Sequence, residues 1–324
     1  MALLAGCPDP GAREVVVYTS VDQVYSEPIL RTFAERSDLV VKPVFDVEAA
    51  KTTGLANRLI AERATPQADV WWNGEFAQTL RLAEAGVLAP YQSPSAAAIP
   101  ARYRDPEGLW TGLAGRARVL LVNTDLVSEP EMPASRRDLL DARWGAGEVG
   151  MAYPLFGTTA TEAAALYATL GPAAARRFYE ELRDADVRVV DGNSVVRDLV
   201  ASGQLRVGLT DTDDALGAVA QGAPVRIVLP DQEGSGTLVI PGTVALVADG
   251  PHPEEARALI DFLAGTEVER MLIESGFCQI PLRLSELQPE GLGPGEMRAL
   301  DVSCAQVYAH LEQATGELRE VFVR

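Results

Sequence analysis

The stretch GLTDTDDALG, residues 208 to 217, sets Thr210, Asp211, Thr212, Asp213 and Asp214 side by side between a strand-like run and an apolar run. Two chemistries fit these residue types. Asp211 or Thr212 can N-cap a helix, with Asp213 and Asp214 favouring the dipole from its first turn. Alternatively the carboxylates bind a cation, either an ammonium group or a hard metal that accepts oxygen ligands, in which case Asp213 and Asp214 are the metal candidates. A second cluster, LFGTTATEAA (155–164), reads as strand, glycine turn and helix start. The free N–H groups of such a start, with the hydroxyls of Thr158 and Thr159 and the backbone at Ala160, suit an anion; the plainer role for the threonines is capping. Asn193, in the turn GNS, can donate and accept at once. Thr19 and Ser20 end the first strand, Asn73 and Glu75 follow the third, and Arg116 precedes a long strand where it can pair with an anionic group.

An anion subsite beside a carboxylate turn suits a zwitterion such as an aminophosphonate or an amino-acid analogue, and equally a metal with a synergistic anion. An enzyme would use the same groups differently. No histidine or cysteine falls in these turns to form a nucleophile–base pair, although Asp213 could act as a base. Binding without catalysis is therefore the expectation, with no cofactor. The formal net charge of −18 argues against nucleic acid or an anionic membrane surface as a partner. No segment is apolar for long enough to span a bilayer.

The N-terminus, MALLAGC, ends in Leu4-Ala5-Gly6-Cys7, which resembles a lipoprotein lipobox with Cys7 as the acylated residue. Export and lipid anchoring to the bacterial cell envelope are expected from it, with 1–13 as lipobox remnant and tether. Cys278 and Cys304 then form a disulfide or stay separate thiols.

These groups sit on an α/β alternation. EVVVYTS (14–20), LVVKPVFD (39–46) and ADVWWNG (68–74) are strand candidates with helical spacing between and after them. The same alternation resumes through VGMAYPLFGTTATEAAALYATLG (149–171), VRVVDGNSVVRDLVASG (187–203) and LRVGLTD (205–211). GRARVLLVNTDLV (115–127) and TLVIPGTVALVAD (237–249) are long enough to cross between two α/β clusters. Two lobes with two hinge-crossing strands follow, the first spanning 14–115 plus 248–324 and the second 119–240. Ligand would bind near the carboxyl ends of strands.

The blocks VVVYTSVDQVYSEPILRTFAE, RLIAERATPQADVWWNGE, LRLAEAGVLAPY, GNSVVRDLVASGQLRVGLTD and HPEEARALIDFLAGTEVERMLIESGFCQIPL, in this order, resemble the solute-binding proteins of bacterial ABC importers, in particular the ferric-iron-binding group. The resemblance implies a type II periplasmic-binding-protein fold closing on a small molecule or metal ion. It also implies a monomer that delivers its cargo to an ABC permease in the inner membrane. The ATPase is a separate protein, and this chain has no G-x-x-x-x-G-K-[ST] loop. The resemblance further implies an anion at Thr158–Ala160. The ferric-binding relatives place two adjacent tyrosines after the strand that matches 205–211, and those positions here are Asp213 and Asp214. With no Tyr-Tyr pair in the chain, a zwitterionic or anionic solute is expected ahead of iron.

Overall fold

The computed structural model describes residues 13–46, 54–283, 287, 292 and 297–323, so Cys7 and the segment expected to be a lipobox lie outside the described residues. The chain divides into two compact units. Unit 1 takes Met1–Leu113 and Gly242–Met271, and unit 2 takes Ala114–Pro241 and Leu272–Arg324.

In unit 1, β1 (Glu14–Thr19) lies between β2 (Val40–Phe45) and β3 (Val70–Asn73), parallel to both. β10 (Val239–Val247) runs antiparallel to β3 and to β4 (Leu88–Ala89). The β-branched run EVVVYT supplies Val15 and Val17, both fully buried. Helix α1 (Gln23–Ser37) buries Ile29, Leu30 and Phe33, and Phe33 meets Phe262 of α8 (Pro253–Leu263) at 5.3 Å between ring centroids. Helices α2 (Gly54–Ala61) and α3 (Ala77–Glu84) pack against each other. Trp71 and Trp72 are both in the core, and Trp71 Nε1 donates to Thr79 Oγ1 at 2.8 Å.

In unit 2, β6 (Val149–Ala152) pairs in parallel with β7 (Arg188–Val190) and β8 (Val207–Asp211). β8 pairs antiparallel with β5 (Thr111–Asn123), which also pairs with β9 (Val225–Val228). Each parallel strand leads through a turn into a helix: β6 into α4 (Gly157–Leu170), β7 into α6 (Asn193–Ala201), and β8 directly into α7 (Thr212–Ala220). Gly150 is the partner of both Arg188 and Gly208, so the strands run in step and their helix starts gather at one end of the sheet. Gly208 also lets α6 sit close, since a Cβ there would overlap Val196 and Val200.

One domain boundary needs correction. Residues from 272 to the C-terminus, expected in the first lobe, belong to unit 2. The cause is α4, ten of whose fourteen residues are buried. A helix apolar on nearly every side needs more cover than a sheet provides. Helices α5 (Pro172–Asp184) and α10 (Cys304–Phe322) supply it, with Tyr179 edge-on to Phe322 and the Tyr167 hydroxyl donating to Glu317 at 3.0 Å. Cys278 and Cys304, also in unit 2, are buried and not joined in a disulfide. Among the described residues no helix is long and apolar enough to cross a membrane.

Candidate functional site

The predicted residues fall into two groups, one in each unit. In unit 1 the ends of β1 and β3 are tied by polar side chains. The Ser20 hydroxyl donates to Asn73 Oδ1 and accepts from the Gly74 N–H at 3.2 Å. Asn73 Nδ2 donates to the Glu75 carbonyl at 2.6 Å and to its carboxylate at 3.2 Å. Glu75 in turn accepts from the Ala77 and Gln78 N–H groups at 2.5 and 3.1 Å, holding the start of α3. Thr19 accepts from the Val21 N–H at 3.0 Å. Ser20, Asn73 and Glu75 are thus brought together, while the Thr19 hydroxyl serves its own turn.

The richer chemistry lies in unit 2, around a residue that the sequence reading did not single out. Arg118 stands opposite Asp211 in the register of β5 and β8. Its side chain is wholly buried. Arg118 Nη1 donates to Asp211 Oδ1 at 2.7 Å and to Asn193 Oδ1 at 3.1 Å, with Thr158 Oγ1 at 3.4 Å. Arg118 Nε donates to Glu162 Oε2 at 3.0 Å. Glu162 also faces Arg136, whose Nη1 lies 3.5 Å from Oε1 and whose Nη2 lies 2.8 Å from Asp231. Burial alone would lower the Arg118 pKa, but the charges of Asp211 and Glu162 and their hydrogen bonds raise it above the usual arginine range. Alternation along GRARV puts Arg116 and Arg118 on one strand face. That spacing, with a glutamate inside the alanine-rich run of α4, was the signal available in the sequence.

Asp211, Thr158 and Asn193 close a ring around this cation. The Thr158 hydroxyl donates to Asp211 Oδ2 at 2.5 Å. Asn193 Nδ2 donates to the same oxygen and to Thr158 Oγ1, each at 2.9 Å. Asn193 Oδ1 accepts from Arg118 and, at 3.4 Å, from the Thr159 hydroxyl. An amide has two donor hydrogens and two acceptor lone pairs, so the Asn193 side chain is fully engaged within the protein. Asp211 sits at the N-cap position of α7 but makes no side-chain cap bond, contrary to the capping reading. It is the counter-ion of Arg118. Thr212 does not cap either: its hydroxyl accepts from the Ala117 N–H at 3.1 Å and donates to Gln279 at 2.8 Å.

The other two aspartates are also paired with arginines. Asp213 Oδ2 accepts from Arg116 Nη1 at 3.2 Å, and Asp214 Oδ1 from Arg197 Nη1 at 3.2 Å. Burial pushes the Asp214 carboxyl up to about 6, helped by the negative charges of Asp213 and Asp211 against the opposing pull of Arg197 and Arg116. Helix α4 begins at Gly157 after Phe156, whose side chain cannot cap and is 70% exposed. The Ala160 N–H bonds to the Phe156 carbonyl at 3.2 Å. Among the described residues, the Gly157, Thr158 and Thr159 N–H groups have no hydrogen-bond partner. Five buried side-chain atoms among the described residues have no hydrogen-bond partner, and two of them, Arg118 Nη2 and Asp213 Oδ1, belong to this corner; the others are Arg104 Nε, Tyr179 Oη and Asp231 Oδ2. No group of three or more histidine, cysteine or acidic residues among those described could hold a metal ion.

Similarity to known proteins extends over most of the chain. Iron uptake protein A1 of Synechocystis is 28% identical over 282 residues, 83% of this chain and 77% of that protein. A putative 2-aminoethylphosphonate-binding periplasmic protein of Salmonella typhi is 27% identical over 227 residues, 68% of this chain and 64% of that protein. A Trichodesmium structure in complex with iron and citrate superposes with a TM-score of 0.85 at 23% identity, covering 96% of this chain and 100% of that one, a likeness that establishes the fold. The fold is accordingly the two-lobed α/β arrangement of type II periplasmic-binding proteins. The model of the family described as bacterial extracellular solute-binding protein matches residues 73–296, and this chain belongs to that family.

Proposed function

We propose that this solute-binding protein captures a small zwitterionic or anionic solute of the aminophosphonate kind, with the anionic group at the start of α4 in unit 2. The observation that carries this reading is that two of the five buried side-chain atoms left without partners among the described residues lie on this corner, a donor at Arg118 Nη2 and an acceptor at Asp213 Oδ1. Buried polar atoms are nearly always satisfied, so each exception calls for an explanation. An oxyanion takes the Arg118 donor and the uncapped N–H groups of α4. An ammonium group takes the Asp213 oxygen. The aminoethylphosphonate label of the Salmonella relative is consistent with this reading.

A second reading, ferric iron with a synergistic anion, is favoured by the names of other relatives. Against it, Asp213 and Asp214 each face an arginine, and neither position carries a phenolate. Mass spectrometry of ligand released from gently purified protein, with metal analysis in parallel, decides between them. Recovery of an amino-substituted oxyanion supports the first reading. Stoichiometric iron, retained after Asp213→Ala and Asp214→Ala, defeats it. Recovery of a chemically altered ligand would point to an enzyme. For anchoring, we propose acylation at Cys7. Labelling of the expressed full gene with a palmitate analogue tests this, and label that survives Cys7→Ala rejects it.

A further inference from the structure

We infer that Asp211 selects the protonation state of the bound oxyanion, so that the site takes an acid that keeps a hydrogen, such as a monoprotonated phosphonate, and rejects a sulfonate of the same shape. The inference rests on the anion reading above.

The argument begins with what the ring around Arg118 leaves over. Thr158 donates its only hydroxyl hydrogen to Asp211, and its lone pairs face Asn193 and Arg118. Both hydrogens of the Asn193 amide go to Thr158 and Asp211. The side-chain donors that would ordinarily clasp a ligand oxyanion therefore already clasp the Asp211 carboxylate. Asp211 is the resident anion of this corner, and it is 3% exposed. Three helix starts meet there: Thr158 is the second residue of α4, Asn193 the first of α6, and Asp211 the cap position of α7.

What remains for an incoming anion is the row of α4 N–H groups and Arg118 Nη2, buried and without a partner on the guanidinium whose Nη1 reaches Thr158. An oxyanion seated there comes up against Asp211. Two oxygens that both accept repel each other unless one carries a hydrogen. Asp211 accepts three hydrogen bonds, and a carboxylate has about four acceptor positions, so one position is open to a ligand O–H. The surrounding charges do not override this. Arg118 and Arg116 on β5 and Arg197 on α6 face Glu162 on α4 and Asp213 and Asp214 on α7. Each cation already has its acid.

The probes are 2-aminoethylphosphonate and 2-aminoethanesulfonate, which differ at the acid group, with inorganic phosphate and sulfate as the pair lacking a body. Calorimetric titration of the wild type at about pH 5 and about pH 9 brackets the loss of the second acidic proton, near pH 6 for phosphate esters. The expected result is tighter phosphonate binding at the lower pH, and a preference over the sulfonate of about ten- to a hundredfold, the worth of one hydrogen bond to a charged group. Asp211→Asn offers an amide hydrogen and should bind both acids to within a few fold at either pH. Equal binding of phosphonate and sulfonate by the wild type overturns the inference, as does an Asp211→Asn protein that still discriminates. If the variant fails to fold, the wild-type comparison decides alone. A wild type that binds no oxyanion at either pH overturns the anion reading itself, and the selection with it.

Discussion

Replacing Arg118 with methionine is the sharpest probe of unit 2. The substitution keeps much of the side-chain volume and removes a buried charge that meets Asp211, Glu162, Asn193 and Thr158. Asp211 is left without a cation. Glu162 retains only the 3.5 Å contact from Arg136. Breaking a buried pair by removing one partner costs about 3–5 kcal/mol, because the other charge stays buried and uncompensated. At about 2–4 °C per kcal/mol for a unit of this size, the melting temperature should fall by about 6–20 °C. The companion variant Asp211→Asn removes the stranded carboxylate. The Arg118→Met/Asp211→Asn protein should therefore be destabilised by less than the sum of the two single changes, by about 0.5–3 kcal/mol. Calorimetric melting and urea titration of the four proteins close the cycle. A loss below about 1 kcal/mol for Arg118→Met, or strict additivity in the double variant, would refute the account of Arg118 and Asp211 as one buried pair.

Other outcomes follow from the same geometry. Because folding raises the Asp214 carboxyl to about 6, its protonated form supports the fold below about pH 4, and that support is lost as pH climbs through about 6. Asp214→Asn keeps the neutral shape and leaves Arg197 its pairing with Asp198 at 2.8 Å. The unfolding free energy from urea titration should be nearly unchanged at about pH 4 and higher by about 1–3 kcal/mol at about pH 8; an equal change at both would contradict the assignment. Gly208→Ala forces a methyl group into Val196 and Val200, so a loss of about 1–3 kcal/mol is expected on chemical denaturation. An unaltered midpoint would mean that α6 can move off the sheet freely. In unit 1, Asp69 is fully buried and accepts from the Val16 N–H and the His252 N–H, each at 2.7 Å. Asp69→Ala should cost about 1–3 kcal/mol for these stranded donors, measured by urea titration, and a neutral result would argue against their burial.

Much of this molecule was legible in its residue pattern. EVVVYT, VWWN and VGLTD read as strands and form β1, β3 and β8. The runs after them read as helices, because period-two and period-3.6 patterning is a local property. The grouping of Thr158, Asn193 and Asp211 at one end of a sheet was also accessible, since turns that follow parallel strands gather there. Their engagement with one another was not. Whether Asn193 has hydrogen bonds to spare depends on Arg118, which lies 75 positions away. In a strand candidate, Arg118 is indistinguishable from a solvated arginine until the register with β8 is known. The placement of α10 failed for a similar reason: an amphipathic helix states that it must be covered and is silent on what covers it.

The packing of α10 on α4 also sets an order of events during synthesis. Helix α4 ends at Leu170 and α5 follows at once, but α10, the other helix that covers it, begins only at Cys304. While a ribosome adds the residues up to α10, α4 has only α5 against it and part of its apolar surface stays uncovered. Unit 2 therefore cannot finish folding until the far end of the chain has emerged. The arrangement that stabilises the finished corner around Thr158 also keeps the nascent chain soft until late in its synthesis.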